Sequence, residues 1–236
     1  MRIGTVSHGY LIEPDYAEQR HPVYEGKARR GREWEQFLLE HPGVGPDDVL
    51  IASEHEAVTG IVNSVRANDR AWAYINGGIS EASLFWTDEP TLLRCKARPD
   101  TLRPTTLVDL KTTNARNFSR DRLEQHAIRS GWHIQTGFYV MGAMANGFAI
   151  TSVILVVAES EPPYDCGVFR LRPDLVRLGM AKCREALDII AECERTEVWP
   201  GIDGGAEIEL GVPEWSQETS EESSSEITQQ TKNGDK

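Results

Sequence analysis

ARPDTLRPTTLVDLKTT, residues 97–113, decides how the rest of the chain is read. Two strand-like runs, Leu92–Leu102 and Thr106–Lys111, flank the turn Arg103-Pro104-Thr105. Side chains alternate along a strand, so Asp109 and Lys111 point the same way, about 6–7 Å apart. Val108 and Leu110 point the other way, towards a core. A carboxylate and an ammonium on one face of a buried strand carry a desolvation cost that needs a reason. Two readings stand. One is a structural Asp–Lys ion pair. The other is a metal site, in which Asp100 and Asp109 hold a hard divalent cation through oxygen and Lys111 positions the water that attacks a phosphate.

The chain has 236 residues, 39% hydrophobic and 26% charged. That fits one domain with a real core. No stretch approaches the roughly 20 apolar residues of a membrane span. The N-terminus lacks the apolar centre of a signal peptide, so a cytoplasmic protein is expected, with no membrane partner. Cys95, Cys166, Cys183 and Cys193 form no CxxC pair, which argues against a zinc site or a disulfide framework.

Net charge is −12, but it is unevenly spread. Residues 200–236 carry nine acids and two bases, while Thr91–Gln135 carries nine bases and four acids, two of them Asp100 and Asp109. A locally basic segment inside an acidic chain is compatible with a nucleic-acid contact.

Outward from the central stretch, Ile3–Ile12 reads as a helix ended by Pro14, and Asp15–Arg32 as a loop. Glu33–Glu40 is a short helix, and Val49–Ala52 a brief extended run. Ser53–Ile75 reads as one helix with Ser53 as N-cap and Glu56 completing a capping box. Ile79–Trp86, Leu92–Leu102 and Thr106–Lys111 form a three-stranded meander, with Glu81 early in its first strand. Asn117–Asn146 is helical with a break at Ser130-Gly131, and Gln135 and Tyr139, four apart, share a face. Thr151–Ala158 is a continuous β-branched run, as in a strand buried on both faces. Cys166–Leu171 is a further strand and Asp174–Cys193 an amphipathic helix. The reading is a domain over 1–199 and an acidic, disordered tail over 200–236.

With a carboxylate nine residues before Asp-x-Lys in a meander, the chain resembles the PD-(D/E)xK nuclease superfamily. The carrying residues are Pro99-Asp100 and Asp109-Leu110-Lys111. The block CKARPD…LVDLKTT looks like the RecE-like phage exonuclease branch, related to the nuclease domains of RecB and AddB. So do Gly4-Thr5-Val6-Ser7-His8, running on to Glu13-Pro14, and the Gln135/Tyr139 pair.

The resemblance implies an α/β (α+β) fold: a central mixed β-sheet of about five strands flanked by helices, with the restriction-endonuclease-like core αβββαβ. It implies a Mg²⁺-dependent exonuclease, Mn²⁺ able to substitute, that digests linear double-stranded DNA 5′ to 3′ and leaves 3′ single strands for recombination. It implies His8, Asp100, Asp109 and the Leu110 carbonyl as metal ligands and Lys111 as the catalytic lysine. It implies Asp100, Asp109, Lys111 and Glu81 as the catalytic residues, Glu81 standing where related nucleases often carry an acidic residue on the first strand, as a ligand to a second metal. Gln135, Tyr139, Arg98 and Thr112 are expected to contact DNA. Implied partners are DNA ends, a single-strand annealing protein and further copies of the chain in a ring, in a phage-infected or bacterial cell. An endonuclease or a silent DNA-binding module on the same fold are the alternatives. Some relatives pin an iron–sulfur cluster with one early cysteine and a C-terminal trio. The four cysteines here do not match that pattern, so no iron–sulfur cluster is expected. RecE-like chains carry more helix before the histidine than the seven residues that precede His8, so either that helix is missing or the chain was started late.

Overall fold

Residues 152–158 alternate between two cores. Ile154, Val156 and Ala158 join one apolar cluster, while Val153, Leu155 and Val157 face the helices opposite. The strand that carries them, β8 (Ser152–Glu159), is therefore buried on both faces, as its continuous β-branched run requires. The architecture around it is seen in a computed structural model that describes residues 2–202, 204, 206–209 and 211. The expected tail over 200–236 lies mostly outside the described residues. The chain divides into two units, Met1–Glu192 and Cys193–Lys236, and the first holds the whole sheet.

That sheet is five-stranded and mixed, with order β3-β6-β7-β8-β9. Its members are β3 (Ile79–Ser80), β6 (Thr101–Leu102), β7 (Thr106–Thr113), β8 and β9 (Cys166–Arg170). Within it only β7 and β8 run parallel. Helices α1 (Arg2–Ile12), α4 (Ala52–Ala67) and α5 (Asp69–Ile75) cover one face, packing Val6, Leu11, Val58, Ile61, Val65 and Ile75 onto Val108 and Leu110. The helices α6 (Arg120–Arg129), α7 (Trp132–Ala145) and α8 (Pro173–Thr196) cover the other. The expected αβββαβ order within a three-layer fold is what forms.

Helices α7 and α8 cross at bare backbone. A Cβ added to Gly179 would lie 1.8 Å from the His133 carbonyl oxygen, and one added to Gly137 would lie 2.5 Å from Gly179. On the opposite face, a Cβ at Gly4 would stand 2.4 Å from Thr112 Oγ1, so the glycine lets α1 lie close over β7.

Four expectations need correction. Pro14 does not merely end α1. It stands at the first position of α2 (Pro14–Arg20), where a missing N–H costs nothing, and part of the expected loop is therefore helical. The remainder contains β1 (Val23–Tyr24), which pairs in parallel with β2 (Leu50–Ile51) and is followed by α3 (Arg32–Glu40). The helix expected over Ser53–Ile75 is two helices, because Asn68 accepts from Ala71 N–H at 3.0 Å and caps α5. At its start Ile51 rather than Ser53 is the N-cap; its side chain has no acceptor, so no reciprocal box forms, and Glu54 rather than Glu56 accepts from Ile51 N–H at 3.0 Å. Finally, the first two strands of the meander are each interrupted. β4 (Leu84–Thr87) and β5 (Arg94–Ala97) form a separate two-stranded ladder.

The interruptions match. β3 pairs with β6 and β4 pairs with β5 in one uninterrupted register, Ile79 opposite Leu102 and Leu84 opposite Ala97. A single hairpin is thus opened in the middle, Glu81–Ser83 on one arm facing Arg98–Asp100 on the other. The outer part leans on α7, where Trp86 meets Phe138 with ring centroids 4.9 Å apart.

Candidate active site

The gap in the hairpin is where the acidic residues gather. Glu81 N–H donates to the Asp100 carbonyl at 3.0 Å, continuing the β3–β6 register and setting Glu81 opposite Asp100. The β6–β7 register, Thr101 opposite Val108, sets Asp100 opposite Asp109 one step further on. Three carboxylates thus form a row across adjacent strands, whose spacing is about 4.8 Å. Glu81 has φ of 52°, the left-handed region, at the point where its strand leaves the sheet. Non-glycine residues enter that region at a cost, and such sites cluster where function holds them.

Helix α1 brings His8 over this row. Its Nε2 lies 2.7 Å from Asp100 Oδ1 and its Nδ1 lies 3.5 Å from Glu81 Oε1. Val6 and Leu11 anchor the helix in the core, and His8 stands at the half-buried rim. Burial works against a charge on His8, but the Asp100 hydrogen bond and the carboxylates of Asp100, Glu81 and Asp109 outweigh it and raise its pKa. Burial raises the Glu81 carboxyl, with Asp100 and Glu13 adding to the rise and His8 and Arg98 opposing it. The Arg98 guanidinium Nε lies 2.5 Å from Glu81 Oε2.

The second half of the site lies on β7 and α7. Asp109 is 1% exposed, and Lys111 Nζ lies 2.5 Å from its Oδ2. Lys111 also donates to Gln135 Oε1 at 2.7 Å, and Gln135 Nε2 donates to the Tyr139 hydroxyl at 2.7 Å. Burial pushes Asp109 up to about 7, helped by Asp100 and opposed by Lys111 and His8. Burial, then the charge of Asp109, pushes Tyr139 up to about 12. The two halves meet at Asp100, whose Oδ2 accepts from Leu110 N–H at 2.6 Å.

His8, Glu81 and Asp100 each offer a ligand atom, and these atoms lie within 4.8 Å of one another. Divalent cations bind oxygen and nitrogen at about 2.0–2.6 Å, so three atoms this close can share one ion. One imidazole and two carboxylates make a donor set suited to such a cation. The grouping includes Glu81. Asp109 stands next in the row, with one oxygen held by Lys111.

The structure brings together most of the residues expected at the site: His8, Glu81, Arg98, Asp100, Asp109, Leu110, Lys111, Gln135 and Tyr139. Thr112 is the exception. It points to the opposite face of the sheet from Lys111, lies against Gly4, and lines a cleft of about 500 Å³ with Thr113, Asn114, His126 and Ser160. Alternation along β7 separates Thr112 from Lys111, so the structure does not bring it to the carboxylates with the other expected residues. The turn of the chain at Glu81 had no local signal in the sequence. A carboxylate three residues past Gly78 gives no sign that the strand will leave the sheet there.

A family model described as a PDDEXK-like domain of unknown function (DUF3799) matches residues 1–210. The chain belongs to that family. It is thereby a member of the PD-(D/E)xK nuclease superfamily, and its mixed sheet flanked by helices is the restriction-endonuclease-like fold. Among solved structures, a candidate exonuclease from Eubacterium rectale is similar to it with a TM-score of 0.60. The two are 11% identical, and the match covers 89% of this chain and 77% of the other, a likeness of fold. Among curated proteins none matches the chain in sequence. No helix among the described residues is long and apolar enough to cross a membrane.

Proposed function

We infer that the chain is a divalent-metal-dependent DNA exonuclease that shortens linear duplexes from their ends. The observation that carries this reading is the junction of two groups. The His8–Glu81–Asp100 cluster is joined through Asp100 and Leu110 to the buried Asp109–Lys111 pair. A simple ion pair needs none of the three ligands beside it.

His8, Glu81 and Asp100, with Asp109 and the Leu110 carbonyl, would hold the cation, Mg²⁺ in the cell with Mn²⁺ able to replace it. Such an ion supplies Lewis acidity at a phosphate oxygen and offsets the repulsion between carboxylates and a polyanion. Lys111, held between Asp109 and Gln135, directs its ammonium at the attacking water and stabilises the charge that builds on the phosphate. Gln135 and Tyr139 hold the lysine's outer side and offer polar groups to the DNA backbone. Arg98, more than half exposed, extends the positive side of the site towards the strand. Digestion 5′ to 3′, a ring of copies, a single-strand annealing partner and a cytoplasmic setting complete the reading by resemblance to RecE-like enzymes.

Linear duplexes labelled at one 5′ or one 3′ end, and a closed circle, test this together. Mg²⁺-dependent loss from the 5′ end with the circle left intact is expected. Asp109→Asn and Lys111→Ala should each lower the rate by at least about 100-fold. Cleavage of the circle would make the protein an endonuclease. Duplex binding without Mg²⁺-dependent loss would make it a silent binding module.

A further inference from the structure

We propose that Pro99 is a positioning residue, whose missing amide hydrogen keeps the Leu110 carbonyl open towards the cation site. The inference rests on the metal-dependent reading above and adds a role to a residue that otherwise looks like scaffold.

Strand register places the two residues opposite each other. Arg103 N–H donates to the Thr106 carbonyl at 2.9 Å, and Thr101 stands opposite Val108. In an antiparallel ladder, hydrogen-bonded pairs recur every second residue, and each exchanges two bonds. Stepping two residues beyond Thr101 and Val108 puts Pro99 opposite Leu110. The phase is confirmed at Leu110 itself, whose N–H points to this edge and is taken by Asp100 Oδ2 at 2.6 Å. A strand residue directs its N–H and its C=O to the same edge, so the Leu110 carbonyl also points here. Were the register to run on one hydrogen-bonded pair past Thr101, the residue at position 99 would be the ladder's donor to that carbonyl. Proline has no amide hydrogen to donate.

Both partners of the missing pair are therefore replaced. The Asp100 side chain takes the Leu110 N–H in place of the strand's own carbonyl. The proline leaves the Leu110 C=O with no ladder donor. Pro99 and Asp100 are both buried, so water is not the ready substitute it would be at a free edge. On the far side, β8 continues opposite β7 without interruption, Leu110 facing Val156, so the gap is confined to the edge that carries the carboxylates.

The test separates the missing hydrogen from the ring. Pro99→Ala restores an amide. Replacement of Pro99 by lactic acid, the ester analogue of alanine, removes the ring but restores no N–H. Mn²⁺ binding to the full chain is measured by titration calorimetry without DNA, alongside circular dichroism and hydrogen exchange at the new amide. Pro99→Ala is expected to weaken Mn²⁺ binding about tenfold or more, with a slowly exchanging amide at position 99, and the ester should return binding to within about threefold of wild type. Should Pro99→Ala not fold, Pro99→Gly carries the same amide and takes its place. Equal affinity in wild type and Pro99→Ala overturns the inference. So does equal weakening in the amide and ester forms, which would assign the effect to the ring. A wild-type chain that binds no Mn²⁺ overturns the metal reading itself and this inference with it.

Discussion

Removing the ammonium from the buried pair, by Lys111→Met, should produce a stability loss that depends on pH in a defined way. Asp109 is 1% exposed and its carboxyl is pushed up to about 7, with Lys111 opposing the rise. An aspartate in the unfolded chain titrates near 3.9. Because the folded value is the higher one, Asp109 favours folding most below about pH 4. That advantage is lost at about 1.4 kcal/mol per pH unit as pH rises, until the folded carboxyl ionises near 7. Above that point the wild type loses nothing more from this group. Without Lys111 the folded carboxyl stays protonated to higher pH, so the loss continues. The difference between wild type and Lys111→Met should therefore change little from pH 5 to 7 and then grow by about 2–3 kcal/mol between pH 7 and 9. Urea unfolding in EDTA at pH 5, 6, 7, 8 and 9 measures it, with other groups cancelling in the difference. A difference that stays flat from pH 5 to 9 would refute the claim that Lys111 holds the charge of Asp109. Lys111→Met/Asp109→Asn should lose the pH dependence altogether.

His8→Ala should raise the Mg²⁺ concentration needed for half-maximal cleavage by about tenfold or more, since it removes one atom of the three-ligand group, and a metal titration of the rate checks it. Asp88→Asn should destabilise by about 1–3 kcal/mol at pH 7, because Arg184 Nη1 lies 2.7 Å and 2.8 Å from the two Asp88 oxygens and ties the β4–β5 turn to α8. Hydrogen bonding by Arg184, which outweighs burial, lowers the Asp88 carboxyl, so this contribution is full above about pH 4 and fades as pH falls through the lowered value. Urea midpoints at pH 3 and 7 should show the mutational gap closing at the lower pH. Gly179→Ala should cost about 2–3 kcal/mol in thermal or urea unfolding, because the new methyl would meet the His133 backbone oxygen, which has no side-chain freedom to move aside.

Elements with local causes are the ones legible in the sequence. The run TSVILVVA announces a strand buried on both faces, and β8 is one. Ser130-Gly131 marks a helix break that Gly131, with φ of 70°, makes real between α6 and α7. Gln135 and Tyr139 share a helix face by spacing alone, and they do hydrogen-bond. Asp109 and Lys111 share a strand face by the same logic. The failures are of another kind. Pro14 can end one helix or begin the next, and nothing local distinguishes the two. Asn68 caps a new helix inside an apolar stripe that carries on across it. Glu81 takes a φ of 52° where both arms of the hairpin are interrupted, and the facing Arg98–Asp100 segment lies more than fifteen residues away in sequence. Thr112 is readable from alternation, which puts it opposite to Lys111. The resemblance carries no such facing information for it.

The matched gap in the hairpin limits how the gene can vary in length. Three residues face three across it, and beyond it Leu84 and Trp86 pack inward while Phe85 is 62% exposed. Loss or gain of one codon on a single arm would shift the outer ladder by one residue and exchange these two sets, putting Trp86 in solvent and Phe85 against α7. The inner β3–β6 ladder would still set Glu81 opposite Asp100, but the two ladders could no longer share one register across the gap. Length changes in this family are therefore expected at the Thr87–Leu93 tip, or in equal numbers on both arms. A single-codon deletion between Glu81 and Leu84 should be as damaging as loss of a ligand.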